Sequence, residues 1–130
     1  MPLLNFTVIR GRTAEQTRHL LDSAHRAVVE AFDVPERDRY QIVDVRDPDD
    51  VVALDTGLGF ERSDQLVIIQ VVSRIRTTEM KQRFYELLAE NLRRDCGLDA
   101  KDLIVSITEN GDADWSFGAG RAQFLTGELT

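Results

Sequence analysis

Two stretches of this 130-residue chain repeat each other at a fixed spacing, and that repeat limits the folds open to it. Arg10 and Arg74, Arg12 and Arg76, Thr13 and Thr77, Glu15 and Glu79, and Asp38 and Asp102 all lie 64 positions apart, and the halves align without a gap. The identities gather where a strand hands over to a helix and where the next strand begins. In the first half, Leu3–Arg10 is short, apolar and β-favouring. "GRTAEQTRHLLDSAHRAVVEAFDV" follows. There Thr13 and Gln16 have the spacing of a capping box, and Leu20, Leu21, Ala24, Ala27, Val28 and Ala31 recur at helical intervals. Pro35 stops this helix, and "RYQIVDV" reads as a second strand. After a loop over roughly 47–64, rich in Asp and Gly, the order returns. "QLVIIQVVS" reads as strand, "TTEMKQRFYELLAENLRRDC" as helix with Gly97 as its stop, and "DLIVSITEN" as strand.

Two β-α-β units follow from this order, each a right-handed crossover between parallel strands. They combine into one α/β (α+β) domain over residues 1–130, with halves at about 2–46 and 66–110. The expected architecture is a four-stranded, mostly parallel sheet with two helices on one face. A turn-rich tail over 111–130 is expected to reach over a neighbouring subunit. "LVIIQVV" is nearly continuous in apolar residues, as in a strand covered on both faces. Since the helices cover one face only, the other is expected to pack against further copies of the chain.

Composition removes several function classes. A net charge of −7 argues against nucleic acid as partner, because a phosphate backbone needs clustered cations. No apolar run approaches a membrane span, and the first residues lack a signal peptide's basic and apolar segments. The one cysteine, Cys96, excludes an internal disulfide framework, fits a reducing cytoplasm, and is expected to be a small half-buried residue. His19 and His25, six apart on one helix, do not share a face, so no metal site is expected.

A few residues have the means for chemistry. "SRIRTTE" places Arg74 and Arg76 at i and i+2, on one side of an extended backbone, just before a helix N-terminus. Two such guanidiniums suit a carboxylate between them, and free N–H groups at the helix start add to the anion preference. They are equally open to being solvated arginines paired with acids, and Arg10 and Arg12 make the pattern open to being a relic of the fold. Asp38 lies at the mouth of the second strand, beside the start of the first, where Pro2 sits. A carboxylate there raises the pKa of a nearby α-amine, whereas burial lowers it, and sequence does not decide between them. Trp115, Phe117 and Phe124 are suited to a hydrophobic plug, a contact between subunits or a dry pocket wall. "GAGR" follows no strand and opens no helix, so it is not a phosphate loop.

Taken together these residues resemble the tautomerase superfamily, and within it the malonate semialdehyde decarboxylase family, over essentially the whole chain. The stretches that carry the resemblance are "MPLL", "GRT", "LLDSAHRAVVEAF", "VPERDRYQ", "DTGLGFERS", "SRIRT", "LIVSITENGDADWSFG" and "RAQFLTGEL". The resemblance implies that Pro2, once Met1 is removed, is the catalytic amine and that Asp38 hydrogen-bonds and orients it. It implies that Arg74 and Arg76 grip the substrate carboxylate, and that Trp115, Phe117, Phe124 and Leu129 line an apolar pocket. It further implies a homotrimer without cofactor that decarboxylates a small 3-oxo acid, malonate semialdehyde, to acetaldehyde, with a side capacity for hydration. Ile75 departs from the pattern, since the resemblance leads one to expect proline between the arginines. Two alternatives stay open: another reaction of the superfamily, either keto–enol tautomerisation or haloacrylate hydration and dehalogenation, and a non-enzymatic oligomer that binds carboxylates. Asp38 favours a cationic Pro2, which tells against simple tautomerisation.

Overall fold

A computed structural model describes residues 1–130. Its main elements are β1 (Leu3–Ile9), α1 (Ala14–Phe32), β2 (Tyr40–Arg46), β3 (Val67–Arg74), α2 (Thr78–Cys96), β4 (Leu103–Asn110) and the short α3 (Gln123–Thr126). Local chemistry sets the helix ends. Thr13 accepts the Gln16 N–H while the Gln16 side chain accepts the Thr13 N–H, so α1 opens on the expected capping box. α2 opens on Thr77, whose hydroxyl accepts the Met80 N–H. It closes on Gly97 at φ +66°, whose N–H returns to the Arg93 carbonyl, a left-handed turn that glycine makes without strain. No helix is long and apolar enough to cross a membrane.

The strand order is β2-β1-β3-β4. Both outer pairs are parallel, as each crossover unit requires, and the central β1–β3 pair is antiparallel, with Leu3 opposite Val72. That central pairing decides where chemistry can gather. At one end of the sheet β1 and β2 begin while β3 and β4 finish. Pro2, Asp38, Arg74, Arg76 and the root of the tail therefore meet at a single edge. The opposite edge collects Arg10, Arg12 and Asp102 in the same way.

Both helices cover one face, and the core lies between. Leu4, Phe6 and Val8 from β1 and Val67, Ile69 and Val71 from β3 pack against Leu20, Ala24, Val28, Phe84, Leu88 and Leu92. Phe32 and Phe84 touch across the helix pair, with ring centroids 4.7 Å apart. The gapless repeat needs one correction. The helices superimpose at the offset of 64, but Leu4, Phe6 and Val8 would then correspond to Ile68, Gln70 and Val72, which face away from the core. The first strands are thus out of phase by one residue. Val8 and Ile9 are both buried, and this breaks the alternation of β1 just before the helix, where Gly11 sits at φ +148°. The other sheet face is uncovered in the single chain. Ile42 is half-exposed on it, and Asn5 Oδ1 is buried there without a partner.

Candidate active site

Pro2 is fully buried immediately before β1, and the chain ahead of it places the Met1 amine 3.9 Å from Asp38 Oδ2. Asp38 is only 6% exposed. A turn that bonds its N–H to the Pro35 carbonyl (3.0 Å) sets its position. His25 from α1 pins the same segment, its Nε2–H donating to the Glu36 carbonyl at 2.6 Å. The Oδ2 atom of Asp38 has no hydrogen-bond partner.

Arg76 reaches the site from the β3–α2 junction. Its Nε–H donates to Ser73 Oγ (3.1 Å), its Nη1 donates to the Phe32 carbonyl (3.4 Å), and its guanidinium carbon lies 4.9 Å from the Phe32 ring centroid. Its Nη2 is buried and unpartnered. Arg74 is held by Asp112 (3.0 Å) and the Thr130 carbonyl (3.3 Å), and its guanidinium carbon stands 3.8 Å from the Phe124 ring centroid.

Burial governs the charges here. The Met1 amine is lowered from 8.0 to about 6, by burial first and then by Arg76, with Asp38 opposing and Arg74 adding a little. Burial likewise pushes Asp38 up from its usual range, against the pull of the amine, Arg76, His25 and Arg74. Both members of the pair thus lean towards their neutral forms, and at 3.9 Å they form no hydrogen bond. The attraction that sequence assigns to Asp38 exists, and desolvation outweighs it.

The tail closes over this edge of its own chain. Trp115 stacks on Phe117 (5.3 Å, 10°), Phe117 stacks on Tyr40 (5.5 Å), and Phe124 meets Phe117 edge-on. Trp115 Nε1–H donates to Asn110 Oδ1 at 2.7 Å, which ties this wall to the end of β4. A cavity of about 190 Å³ lies between Met1, Pro35, Arg37, Asp38, Tyr40, Phe117 and Leu129. Arg74 and Arg76 line a separate one of about 250 Å³ with Asn110, Gly111 and Asp112. Asp38, Phe117 and Leu129 share the first cavity. The arginines open onto the second, and Trp115 and Phe124 back the wall from behind. Sequence reasoning missed Tyr40, which "RYQ" contains, and Ser73, which reads as the end of a strand. Cys96, expected to be half-buried, is exposed at the end of α2.

The opposite edge serves as an internal control. Asp102 is as buried as Asp38, yet its two oxygens accept the Ser63 N–H (2.7 Å) and the Ser63 hydroxyl (2.6 Å). Arg12, the counterpart of Arg76, spends its Nη2 on the Gln65 carbonyl at 2.7 Å. There the chain runs on through peptide bonds and offers no amine. Of the two repeated constellations, one leaves no buried donor or acceptor free, and the other keeps one of each.

A family described as "Tautomerase enzyme" matches residues 38–118, and a second of the same description matches residues 2–61. The chain is 57% identical over 129 residues to "Probable tautomerase YrdN" of Bacillus subtilis (strain 168), covering 99% of this chain and 100% of that one. It is also similar to a crystal structure of malonate semialdehyde decarboxylase, studied for decarboxylase and hydratase activities. That match has 53% identity and a TM-score of 0.97, over 98% of this chain and 99% of the other. A symmetric trimer of fused 4-OT, 22% identical with a TM-score of 0.79, shares the fold over 96% of this chain and 98% of its own.

Proposed function

The chain belongs to the tautomerase family, and from that premise we propose that it decarboxylates malonate semialdehyde to acetaldehyde and CO₂ through a free Pro2. The observation that carries this reading is the unpartnered pair, Arg76 Nη2 and Asp38 Oδ2, buried beside the N-terminal amine. The opposite edge has the same residue types, and neither Arg12 nor Asp102 keeps such a buried atom free. An unmade hydrogen bond on a buried charged group costs more than about 1–3 kcal/mol, so a fold retains two of them where a ligand completes them.

In this reading Met1 is removed and Pro2 presents a secondary amine. Arg76 and Arg74 hold the substrate carboxylate, with Asp112 and the Thr130 carbonyl giving up Arg74 to it. Their grip sets the C–C bond to the carboxylate across the plane of the carbonyl, a gain in orientation. A neutral Pro2 attacks the aldehyde carbon and, with loss of water, forms an iminium. The C–C bond then breaks, its electron pair moves into the iminium to give an enamine, and CO₂ leaves. Protonation of the enamine carbon and hydrolysis release acetaldehyde and regenerate the amine. The buried, arginine-flanked edge that lowers the Met1 amine supports this route, since it disfavours charge where Pro2 lies and the nucleophile must be neutral near pH 7. Asp38 orients the amine and exchanges its proton. Trp115, Phe117, Phe124 and Leu129 supply an apolar wall that favours neutral CO₂ over the carboxylate. No cofactor enters, and the uncovered sheet face suits a homotrimer.

The same charge-disfavouring edge favours one second reading, keto–enol tautomerisation with neutral Pro2 as base. Sequence weighed against it on the ground that Asp38 keeps the proline cationic. Borohydride trapping with malonate semialdehyde separates the two, because only an iminium yields a stable adduct at Pro2.

A further inference from the structure

We propose that Ser73 and Glu109 are positioning residues for Arg76, fixing its backbone and its guanidinium so that the free Nη2 meets a carboxylate. This deepens, and rests on, the reading of Arg76 as a carboxylate grip. Arg76 lies between the last residue of β3, Arg74, and the helix cap Thr77. Its neighbour Ile75 is 79% exposed, so the apolar core does not hold this link. Glu109, near the end of β4, does so instead. Its Oε2 accepts the Arg76 backbone N–H at 2.7 Å, and its Oε1 lies 3.1 Å from Lys81 Nζ in the first turn of α2. The same two donors hold the Glu109 carboxyl below its usual range. One side chain thus ties the link to the sheet and to the helix at once.

Ser73 fixes the other end of the arginine. It is fully buried and continues the core face of Val67, Ile69 and Val71, where an alkyl side chain would fit. A buried hydroxyl costs stability unless it is bonded, and here the bond is the one from Arg76 Nε–H at 3.1 Å. With the Phe32 carbonyl on Nη1, only Nη2 is left free.

The opposite edge lacks both devices. There β1 ends on the buried apolar residues Val8 and Ile9, and the counterpart of Glu109, 64 positions earlier, is Val45. The two polar groups occur only beside the arginine that keeps a free Nη2.

The test uses 3-hydroxypropanoate, a carboxylate that cannot decarboxylate, with its binding followed by the fluorescence of Trp115, the one tryptophan. Glu109→Ala and Ser73→Ala should each weaken binding roughly five- to tenfold. Glu109→Gln, which keeps an oxygen for the Arg76 N–H, should recover most of the loss. In turnover of malonate semialdehyde, KM should rise by the same factor while kcat changes less than about threefold. Thermal melts run alongside, because a purely structural role lowers Tm without moving the anion affinity. Glu109 lies at the surface, so its variants decide the matter even if Ser73→Ala folds poorly. Parent-like binding by folded Glu109→Ala, or no carboxylate binding by the parent, overturns the proposal. A parent that binds the anion yet releases no acetaldehyde sinks the decarboxylase reading alone.

Discussion

Replacing Asp38 with asparagine should make the protein more stable and less active. The carboxyl is 6% exposed, one of its oxygens has no partner, and burial holds it above its usual range despite four attracting groups. A carboxyl raised in the folded state contributes stability that is fully present below its unfolded value of about 3.9 and lost as pH rises through the folded value. At neutral pH the native protein therefore carries a charge that its surroundings disfavour. Asparagine keeps the shape and replaces an unpartnered anionic oxygen with a neutral amide, which costs less to bury. Relief at a functional site of this kind is worth about 0.5–2 kcal/mol. With Tm moving roughly 3–5 °C per kcal/mol at this chain length, Asp38→Asn should melt about 2–10 °C higher at pH 7 to 8. The gap should close towards pH 4, as the parent's carboxyl takes up its proton. Thermal melts followed by circular dichroism across that range, with turnover measured in parallel, check both halves of the claim. A variant that melts below the parent at pH 7 to 8, or a gap that ignores pH, refutes the reasoning.

Two further outcomes follow from the charges. The burial and the arginine charge that lower the Met1 amine act at the edge where Pro2 lies buried, so kcat/KM for malonate semialdehyde should rise with pH through a limb below the ordinary α-amine value and then level off. A profile that falls over the same limb would assign the work to a protonated proline. At the other edge of the helix pair, Asp95 is held well below the usual carboxylate range by Arg94, Ser23 and Arg26, and it accepts the hydroxyl of the wholly buried Ser23 at 2.8 Å. Asp95→Ala should cost about 1–3 kcal/mol in urea denaturation at pH 7 by stranding that hydroxyl. Because a depressed carboxyl stabilises above its unfolded value and ceases to as pH falls through its folded one, the loss should shrink in strong acid. Equal stability at pH 7 would contradict the bond.

The fold was legible where local chemistry and periodicity agree. Thr13 with Gln16, Pro35 and Gly97 mark helix ends by hydrogen-bonding and backbone rules that act within a few residues, and the structure keeps them, with α1 ending at Phe32 just ahead of Pro35. The repeat gave the crossover units and placed Asp38 and the arginine pair at strand mouths. It did not reveal the one-residue slip in β1, because the break in alternation at Val8 and Ile9 leaves the helix register untouched. The balance at the amine was illegible for a related reason. Asp38 is visible in the sequence as a charge, whereas the desolvation that outweighs it comes from the whole edge closing, tail included. The roles of Ser73 and Glu109 were hidden likewise, since each depends on where Arg76 lands. Tyr40, lost among the strand residues of "RYQIV", joins the cavity only because Phe117 folds back onto it.

The central claim is that Pro2 is a free amine that attacks the substrate. Intact mass before and after treatment with malonate semialdehyde and borohydride tests it most directly, with Pro2→Ala as control. The account predicts an untreated mass lacking methionine, release of acetaldehyde, and a single reduced adduct that maps to Pro2 and is absent from the variant. A mass that retains Met1, with neither adduct nor acetaldehyde, would contradict it.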